Sequence, residues 1–280
     1  MSVIFIDSAC DLSPVQAKKL GLEIVQLPVK LNGKAVGKSD DAYNLACTKH
    51  DELKLNVDKQ DFIKAFQQYL DNEENILYLS TNQIVFNITK PFSDAVKELN
   101  IKYPDREIKI YNLELTSVVA GVLLYEVGLL YKRGDTDLEI INFIDEFKTC
   151  ARGYIVTNQK KFISICKNSE SVNVKSKLGV NAIVEYKMNN ISVLDYVNGR
   201  KKALNQILEM IESNSINMAD YTIQVGYAMQ EQTAQIFKTA LEKKFNGDCT
   251  VLLQKLSLDN VMLYNGDTII IGYHGKKHQA

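Results

Sequence analysis

The chain opens with Val3-Ile4-Phe5-Ile6-Asp7-Ser8, in which four consecutive apolar residues are followed by two polar ones. An uninterrupted apolar run is typical of a strand that is buried on both faces of a parallel sheet. A helical stretch from Pro14 to Leu20 follows, and similar apolar runs recur at Ile76–Leu79 and Ile108–Tyr111. This alternation of strands and helices predicts a parallel sheet with helices on both faces, that is, a three-layer α/β domain.

The remaining elements of the first half fit the same scheme. Leu22–Leu31 is predicted to be a second extended segment, and Asp58 is predicted to cap a helix whose apolar positions include Phe62 and Phe66. Further helices are predicted around Phe92–Leu99 and from about Thr116 to Lys132.

The second half has a different pattern. Two predicted strands, Asn181–Tyr186 and Ile191–Tyr196, are close enough to form a hairpin, and a helix follows from Arg200 to Ile211. Later segments alternate again, with the last predicted strand at Thr268–Ile271. Hairpins combined with crossovers predict a mixed sheet with helices mainly on one side. We therefore predict two domains, residues 1–150 and residues 151–280, with the boundary near Thr149–Gly153.

Composition excludes several classes of function. The 33 basic and 34 acidic residues give a net charge of −1, whereas a broad nucleic-acid surface needs an excess of Lys and Arg. No apolar run is long enough to cross a bilayer, and no signal-peptide pattern precedes Val3. Five cysteines without a CxxC pair are typical of buried free thiols in a reducing compartment. We therefore expect a cytoplasmic protein that has no stable membrane insertion, no metal site and no cofactor.

Polar side chains follow three of the predicted parallel strands. They are Asp7-Ser8, Ser80-Thr81 and Asn112. Because ligands of open parallel sheets bind beyond the carboxyl ends of the strands, this edge is the predicted site. A phosphate-loop-like segment, Gly33–Ser39, has three residues between its glycines where a phosphate loop needs four, so it is interpreted as a polar loop.

These strand-end residues resemble motifs of the DegV family of bacterial fatty-acid-binding proteins. Members open with a strand and then Asp-Ser-Thr-x-Asp-Leu, and this chain has Asp7-Ser8-Ala9-Cys10-Asp11-Leu12. Further matches follow in the same order along the chain: Leu27-Pro28-Val29, Ser80-Thr81, Thr89–Ala95, Asn112–Gly121, Gly199–Ala203 and Gly272–Lys276. The family's head-group loop, Thr-Ser-Gln-Pro-Ser, corresponds to Lys54–Asp58, where the small hydroxyls are absent.

The resemblance implies a two-domain fold and a function. It implies that the chain is not an enzyme but binds a long-chain fatty acid, with the carboxylate at the domain boundary, and presents it to a partner kinase for phospholipid synthesis. A buried carboxylate needs hydroxyl, N–H or cationic partners. The predicted ligand-binding residues are Asp7, Ser8, Lys54, Asn56, Ser80, Thr81, Thr89, Arg200 and His274.

Two alternatives remain open from sequence. An enzyme would use the same cleft for a small acylated or phosphorylated substrate, with Ser80, His274 and Asp7 as its reactive groups. Alternatively, the altered segment Lys54–Asp58 would mark a relative that has lost lipid binding and acts through a protein partner.

Overall fold

The computed structural model describes residues 1–31, 34–35, 40–48, 53–81, 88–169, 179–188, 190–216 and 218–278. The strands are β1 Val3–Asp7, β2 Glu23–Val25, β3 Val29–Leu31, β4 Lys34–Ala35, β5 Leu53–Leu55, β6 Ile76–Ser80, β7 Ile108–Asn112, β8 Ala151–Thr157, β9 Val180–Lys187, β10 Asn190–Asn198, β11 Thr222–Tyr227, β12 Thr250–Lys255 and β13 Ile269–His274. The helices are α1 Pro14–Leu20, α2 Asp40–Thr48, α3 Lys59–Asp71, α4 Thr89–Lys102, α5 Ser117–Arg133, α6 Asp137–Lys148, α7 Lys160–Ile165, α8 Arg200–Asn214, α9 Glu231–Lys244 and α10 Leu258–Tyr264, and a 3-10 turn covers Ser8–Cys10.

The first sheet is parallel and has the strand order β2-β1-β6-β7. One face, which includes Phe5 and Tyr78, packs under α3 and α4. The other face, which includes Ile6 and Leu79, packs against α1, α5 and α6. The predicted three-layer parallel domain is therefore confirmed.

Local sequence signals set the ends of the first helices. Ser13 accepts a hydrogen bond from the Gln16 N–H and Gln16 caps Ser13 in return, while Gly21 ends α1 at φ 74°. Asp58 caps α3 as predicted, because its carboxylate accepts from the Gln60 N–H.

The second sheet has six strands in the order β10-β9-β8-β13-β11-β12. Its neighbours are antiparallel except for β11 and β12, which are parallel, so the predicted mixed sheet and the β9–β10 hairpin are confirmed. Helices α8 and α9 cover one face. All six strands lie within residues 151–274, and the domain boundary at residue 150 stays a prediction.

Helix α5 lies between the two sheets. Residues 117–124 are all buried, because one side of the helix packs on the first sheet and the other on β11 and β13. The approach is close at Gly272 of β13, where a Cβ atom would lie 2.7 Å from the Val118 carbonyl oxygen. The fold therefore has five layers: α3 and α4, the first sheet, the helices around α5, the second sheet, and α8 with α9.

One predicted strand is divided in the structure. Leu22–Leu31 was expected to be one extended segment, but β2 belongs to the first sheet and β3 to a separate three-stranded sheet of order β4-β3-β5. Pro28 lies between them, and proline lacks the N–H that a continuous central strand needs.

Candidate functional site

Asp7 is the centre of a polar network at the carboxyl end of the first sheet. Its side chain is fully buried and accepts four hydrogen bonds. The donors are the Thr81 hydroxyl at 2.7 Å, the Thr81 N–H at 2.8 Å, the Tyr78 hydroxyl at 3.0 Å and the Ala9 N–H at 3.2 Å. The predicted meeting of the β1 and β6 ends is confirmed by these bonds. All four groups donate to Asp7, so this arrangement is suited to a carboxylate.

A second set of hydrogen bonds joins this edge to α10 of the second half. The Ser8 hydroxyl donates to Asp259 at 2.5 Å and accepts from the Leu27 N–H at 3.0 Å. Asp11 accepts from the Ser117 hydroxyl and from the Ser257 N–H, both at 2.6 Å. The carboxyl end of the first sheet is therefore bonded directly to the segment that follows β12.

Burial dominates the electrostatics of the three carboxyl groups. It raises the pKa of Asp7, while the hydrogen bonds from Thr81, Tyr78 and Ala9 oppose the rise. Burial also raises the pKa of Asp11 to about 6. It raises the pKa of Asp259 to about 8, where the charges of Asp7 and Asp11 add to the effect and the Ser8 hydrogen bond opposes it. Asp259 is therefore mainly protonated at neutral pH in the folded protein.

This protonation predicts a pH-dependent stability. Folded Asp259 keeps its proton up to pH about 8, whereas an unfolded aspartate loses it near pH 4. The folded state thus binds the extra proton, and the free energy of unfolding should fall between pH 4 and 8. Between pH 6 and 8, Asp11 has lost its proton and Asp259 still holds one. In this range we expect the free energy of unfolding to fall by up to about 1 kcal/mol per pH unit.

Asp259→Asn is the matched variant for this prediction, since it keeps the size of the side chain and one acceptor oxygen. Urea unfolding of both proteins at pH 6, 7 and 8 should show a flatter dependence in the variant. Taking the difference between the two proteins removes the contribution of the histidines. Parallel curves would show that Asp259 is ionised in the folded state.

An apolar layer lies directly beneath this polar edge. Side chains alternate along a strand, so Ser80 points to the same face as Tyr78, and Asp7 to the same face as Phe5. That face carries a cluster of five aromatic rings, called the aromatic layer below: Phe5, Phe62, Phe66, Tyr78 and Phe92. Polar groups at the strand ends and apolar rings farther down the same face form a continuous amphipathic surface under α3 and α4.

Helix α4 begins at the same edge. Ile88 precedes it and provides no side-chain cap for the first turn. Phe92, in that turn, stacks on Tyr78 with ring centroids 5.4 Å apart, which fixes the start of the helix above β6. Ser80 is fully buried and Thr89 is exposed at the first position of α4. The positive end of the helix dipole favours an anion at this position.

The structure does not bring His274 to this edge. Strand β13 begins at Ile269, which pairs with Tyr227. The Tyr227 carbonyl accepts from the Leu256 N–H, three residues before Asp259, so the start of β13 lies near the Asp7 network. His274 lies five residues farther on, about 17 Å along the strand. There its ring packs on Tyr221 and Phe147, with centroids 4.1 and 4.7 Å apart, and burial lowers its pKa.

Arg200 is also remote from the Asp7 network. It begins α8 directly after β10, one edge strand of the six-stranded sheet, whereas β12 at the other edge leads to Asp259. Five strand spacings separate these edges, about 24 Å. The Arg200 Nε atom is buried without a hydrogen-bond partner.

The other predicted contacts, Lys54 and Asn56, lie in β5 and directly after it. Asn56 is exposed, and its N–H donates to the Pro28 carbonyl. The backbone of Lys54 lies in β5, while its side chain falls outside the described residues. Gly33 and residues 36–39 of the polar loop also fall outside the described residues.

Sequence reasoning missed Tyr78 and the whole of α10. In the sequence, Tyr78 fits the pattern of an apolar strand residue. Only the folded structure shows that its hydroxyl donates to Asp7. A signal for α10 was present, because Ser257 caps the helix and accepts from the Asn260 N–H. Asp259 follows two residues after this cap and was not predicted as part of the site.

Neither a metal site nor a membrane-spanning helix is present in the described part of the chain. No three or more His, Cys, Asp or Glu side chains there are grouped so that they could hold a metal ion. Within the same residues, every helix is too short or too polar to span a bilayer.

The parallel sheet, the mixed sheet and the helix between them define a class of α/β proteins with two sheets. Polar residues lie at the carboxyl ends of the parallel strands. The model of the DegV family, described as uncharacterised proteins, matches residues 1–263, and the chain belongs to this family. A DegV domain-containing protein of Clostridium perfringens is 24% identical over 258 residues, which is 87% of each chain.

Solved structures share the fold over the full length. A stearic-acid-binding protein from Eubacterium ventriosum superposes with a TM-score of 0.83 at 18% identity, covering 99% of both chains. A DegV family protein from Eubacterium eligens, loaded with heptadecanoic acid, gives a TM-score of 0.80 at 13% identity, covering 99% of this chain and all of the other.

Proposed function

We propose that this protein binds a fatty acid whose carboxylate lies at the carboxyl end of β6, beside Ser80 and the start of α4. The observation that carries the proposal is the amphipathic surface under α3 and α4. Polar groups at its upper edge suit the anionic head, and the aromatic layer below suits the tail. The DegV relatives that hold stearic and heptadecanoic acid support the same choice of ligand.

The head group needs donors that are not committed elsewhere. Thr81 donates both its hydroxyl and its N–H to Asp7, so we assign these two residues to shaping the strand end rather than to binding. Ile88 provides no side-chain cap for the first turn of α4. A carboxylate placed there gains from the helix dipole.

The tail supplies most of the affinity. Each methylene removed from water contributes about 0.8 kcal/mol. From a head group beside α4, we place the tail on the face under α3 and α4, which carries the aromatic layer. Presentation of the bound acid to a partner kinase, and a cytoplasmic location, stay predictions. A reaction that uses Ser80, Asp7 and His274 together is disfavoured by the position of His274.

Native mass spectrometry tests the proposal directly. Protein purified without added lipid is expected to carry a mass increment of a few hundred daltons, matching a fatty acid. Delipidated protein should regain such an increment after incubation with the saturated acids from octanoic to stearic. A spectrum that stays unchanged with every acid would contradict fatty-acid binding.

Thr89→Asp tests the position of the carboxylate. An aspartate in the uncapped first turn of α4 should stabilise the helix while it repels the ligand, so the melting temperature rises slightly and fatty-acid affinity falls about tenfold. The control is Gln232→Asp in the first turn of α9, which also lacks a side-chain cap. Equal affinities in both variants would place the head group elsewhere. Because His274 lies far from this edge, His274→Ala should leave fatty-acid affinity unchanged.

A further inference from the structure

Residues 275–278, called the strap below, follow β13 and cross the passage from α6 to β8. Helix α6 packs on the first sheet and β8 belongs to the second, so this passage, residues 149–151, connects the two sheets. Three backbone N–H groups of the strap donate to carbonyl oxygens of other segments. The pairs are Gly275 with Cys150, Lys276 with Asn214 and His278 with Thr149, at distances between 2.8 and 2.9 Å. The strap therefore ties the passage to the end of α8.

Side chains add further bonds to the strap. The Lys276 ammonium donates to the Ser213 carbonyl at 2.7 Å, and the Lys276 carbonyl accepts from Arg152 Nε at 3.1 Å. The fit is close at Gly275, where a Cβ atom would lie 2.7 Å from Arg152 Cδ and 2.9 Å from the Asn214 carbonyl oxygen. The strap is thus bonded to α8, to β8 and to the passage at once.

The geometry of the His278 imidazole favours its neutral form. Its Nε2 atom lies 2.9 Å from the Ala151 carbonyl oxygen. A carbonyl oxygen only accepts, so Nε2 carries the hydrogen and Nδ1 is left as an acceptor. Nδ1 is buried and has no hydrogen-bond partner among the residues that the structure describes. A proton added there would place a charged N–H group in a buried position without an acceptor, which is costly.

The charges around His278 also oppose its protonation. Glu185 of β9 already pairs with Arg152 of β8 at 3.3 Å and with Lys187 at 2.7 Å. One positive charge of the three therefore remains unbalanced before the imidazole gains its own. Burial lowers the pKa of His278, and the charge of Arg152 adds to this effect. The hydrogen bond to Ala151 opposes it, and Lys187 and Glu185 make smaller contributions of opposite sign.

We propose that the strap locks the passage between the two sheets at neutral pH and is released when His278 takes up a proton. Release leaves the carbonyl groups of residues 149–151 to water, and the passage then acts as a hinge between α6 and β8. This inference goes beyond fatty-acid binding and does not depend on it.

The pH range of the release follows from the two states of the strap. His278 in a released strap has the ordinary pKa of about 6.5, whereas in the bound strap its pKa is lower. The lock is therefore at full strength above this range and weakens as the pH falls from about 6.5 toward the lower pKa. In this range the equilibrium constant for opening should rise by up to about tenfold per pH unit.

Hydrogen exchange followed by mass spectrometry tests the proposal at pH 7.5 and 5.5, with each rate compared with that of an unstructured peptide at the same pH. In the wild-type protein, the protection of the strap amides should be about tenfold lower at pH 5.5. Peptides from β11, in the interior of the second sheet, should keep their protection. Equal losses in the two regions would indicate global unfolding in acid and would contradict a local release.

His278→Gln removes the titration but keeps a donor, because the glutamine N–H can take the place of Nε2. Protection of the strap should then be equal at the two pH values. His274→Gln is the matched control. The Nδ1 atom of His274 is also buried without a partner among the described residues, but its ring packs on Tyr221 and Phe147. This variant should keep the wild-type response of the strap.

Two results would overturn the proposal. One is strap protection that is the same at both pH values in the wild type, or that falls equally in His278→Gln. The other is an NMR titration of wild-type His278 that gives a pKa of 6.5 or higher, because the bound strap would then hold the charged imidazole at least as well as the neutral one. If the strap of His278→Gln is unprotected at both pH values, the imidazole itself is needed for the lock, and the wild-type titration decides.

Discussion

Replacing Asp7 by alanine is expected to destabilise the folded protein by about 3–5 kcal/mol. The substitution leaves four donors without their acceptor in a fully buried place: the Thr81 hydroxyl, the Thr81 N–H, the Tyr78 hydroxyl and the Ala9 N–H. A buried donor that loses its partner costs about 1–3 kcal/mol, and the Thr81 hydroxyl can rotate to lessen its share. Urea unfolding of the variant, compared with the wild type, measures the loss.

Asp58→Ala is the matched control for this prediction. Asp58 is also an aspartate that accepts backbone hydrogen bonds, but it is exposed at the start of α3. Its removal should cost only about 1 kcal/mol, as is usual for a helix cap. Similar losses in the two variants would mean that the Asp7 network does not hold the edge of the sheet together.

Gly272→Ala should be the second strongly destabilising change, costing about 3 kcal/mol or more. The new Cβ atom would lie 2.7 Å from the Val118 carbonyl oxygen, 2.9 Å from the Val118 carbonyl carbon and 2.9 Å from the Val119 Cα. All three are backbone atoms of α5, so no side chain can rotate away. The helix must move off the second sheet, which should appear as a lower melting temperature.

Gly247→Ala provides the comparison. Nothing lies within 4 Å of the Cβ position there, and the residue has φ 80°. That variant bears only the strain of a left-handed backbone, about 1 kcal/mol. A Gly272→Ala protein as stable as Gly247→Ala would show that α5 is not in tight contact with β13.

Much of the fold could be predicted because its signals are local. Apolar runs marked β1, β6 and β7, and Asp58 marked the start of α3. Helix α6 was missed although Thr136 and Glu139 form a capping box, a signal that the sequence contains. The division of Leu22–Leu31 was missed because the sheet to which a strand belongs depends on distant partners.

The site was only partly predictable for the same reason. Asp7 and Thr81 follow strands of one parallel sheet, so their meeting follows from the topology. His274 was placed with them by the resemblance and by its position after a predicted strand, between Gly272 and Gly275. The apolar pattern of a strand does not show in which direction the strand runs. Sequence gave no indication that β13 runs antiparallel to β11 and carries His274 away from the edge. Asp259 reaches the site from 252 residues away, through a contact that only the packed structure creates.

Because helix α5 packs on both sheets, it limits how the two halves of this chain can be exchanged by recombination. The helix lies in the first half of the sequence, yet one of its sides is covered only by strands of the second half. A fragment ending at residue 150 would expose that apolar side to water and should aggregate. Exchange of either half with that of another family member requires a matching helix surface, so the two halves are constrained to evolve as one inherited unit.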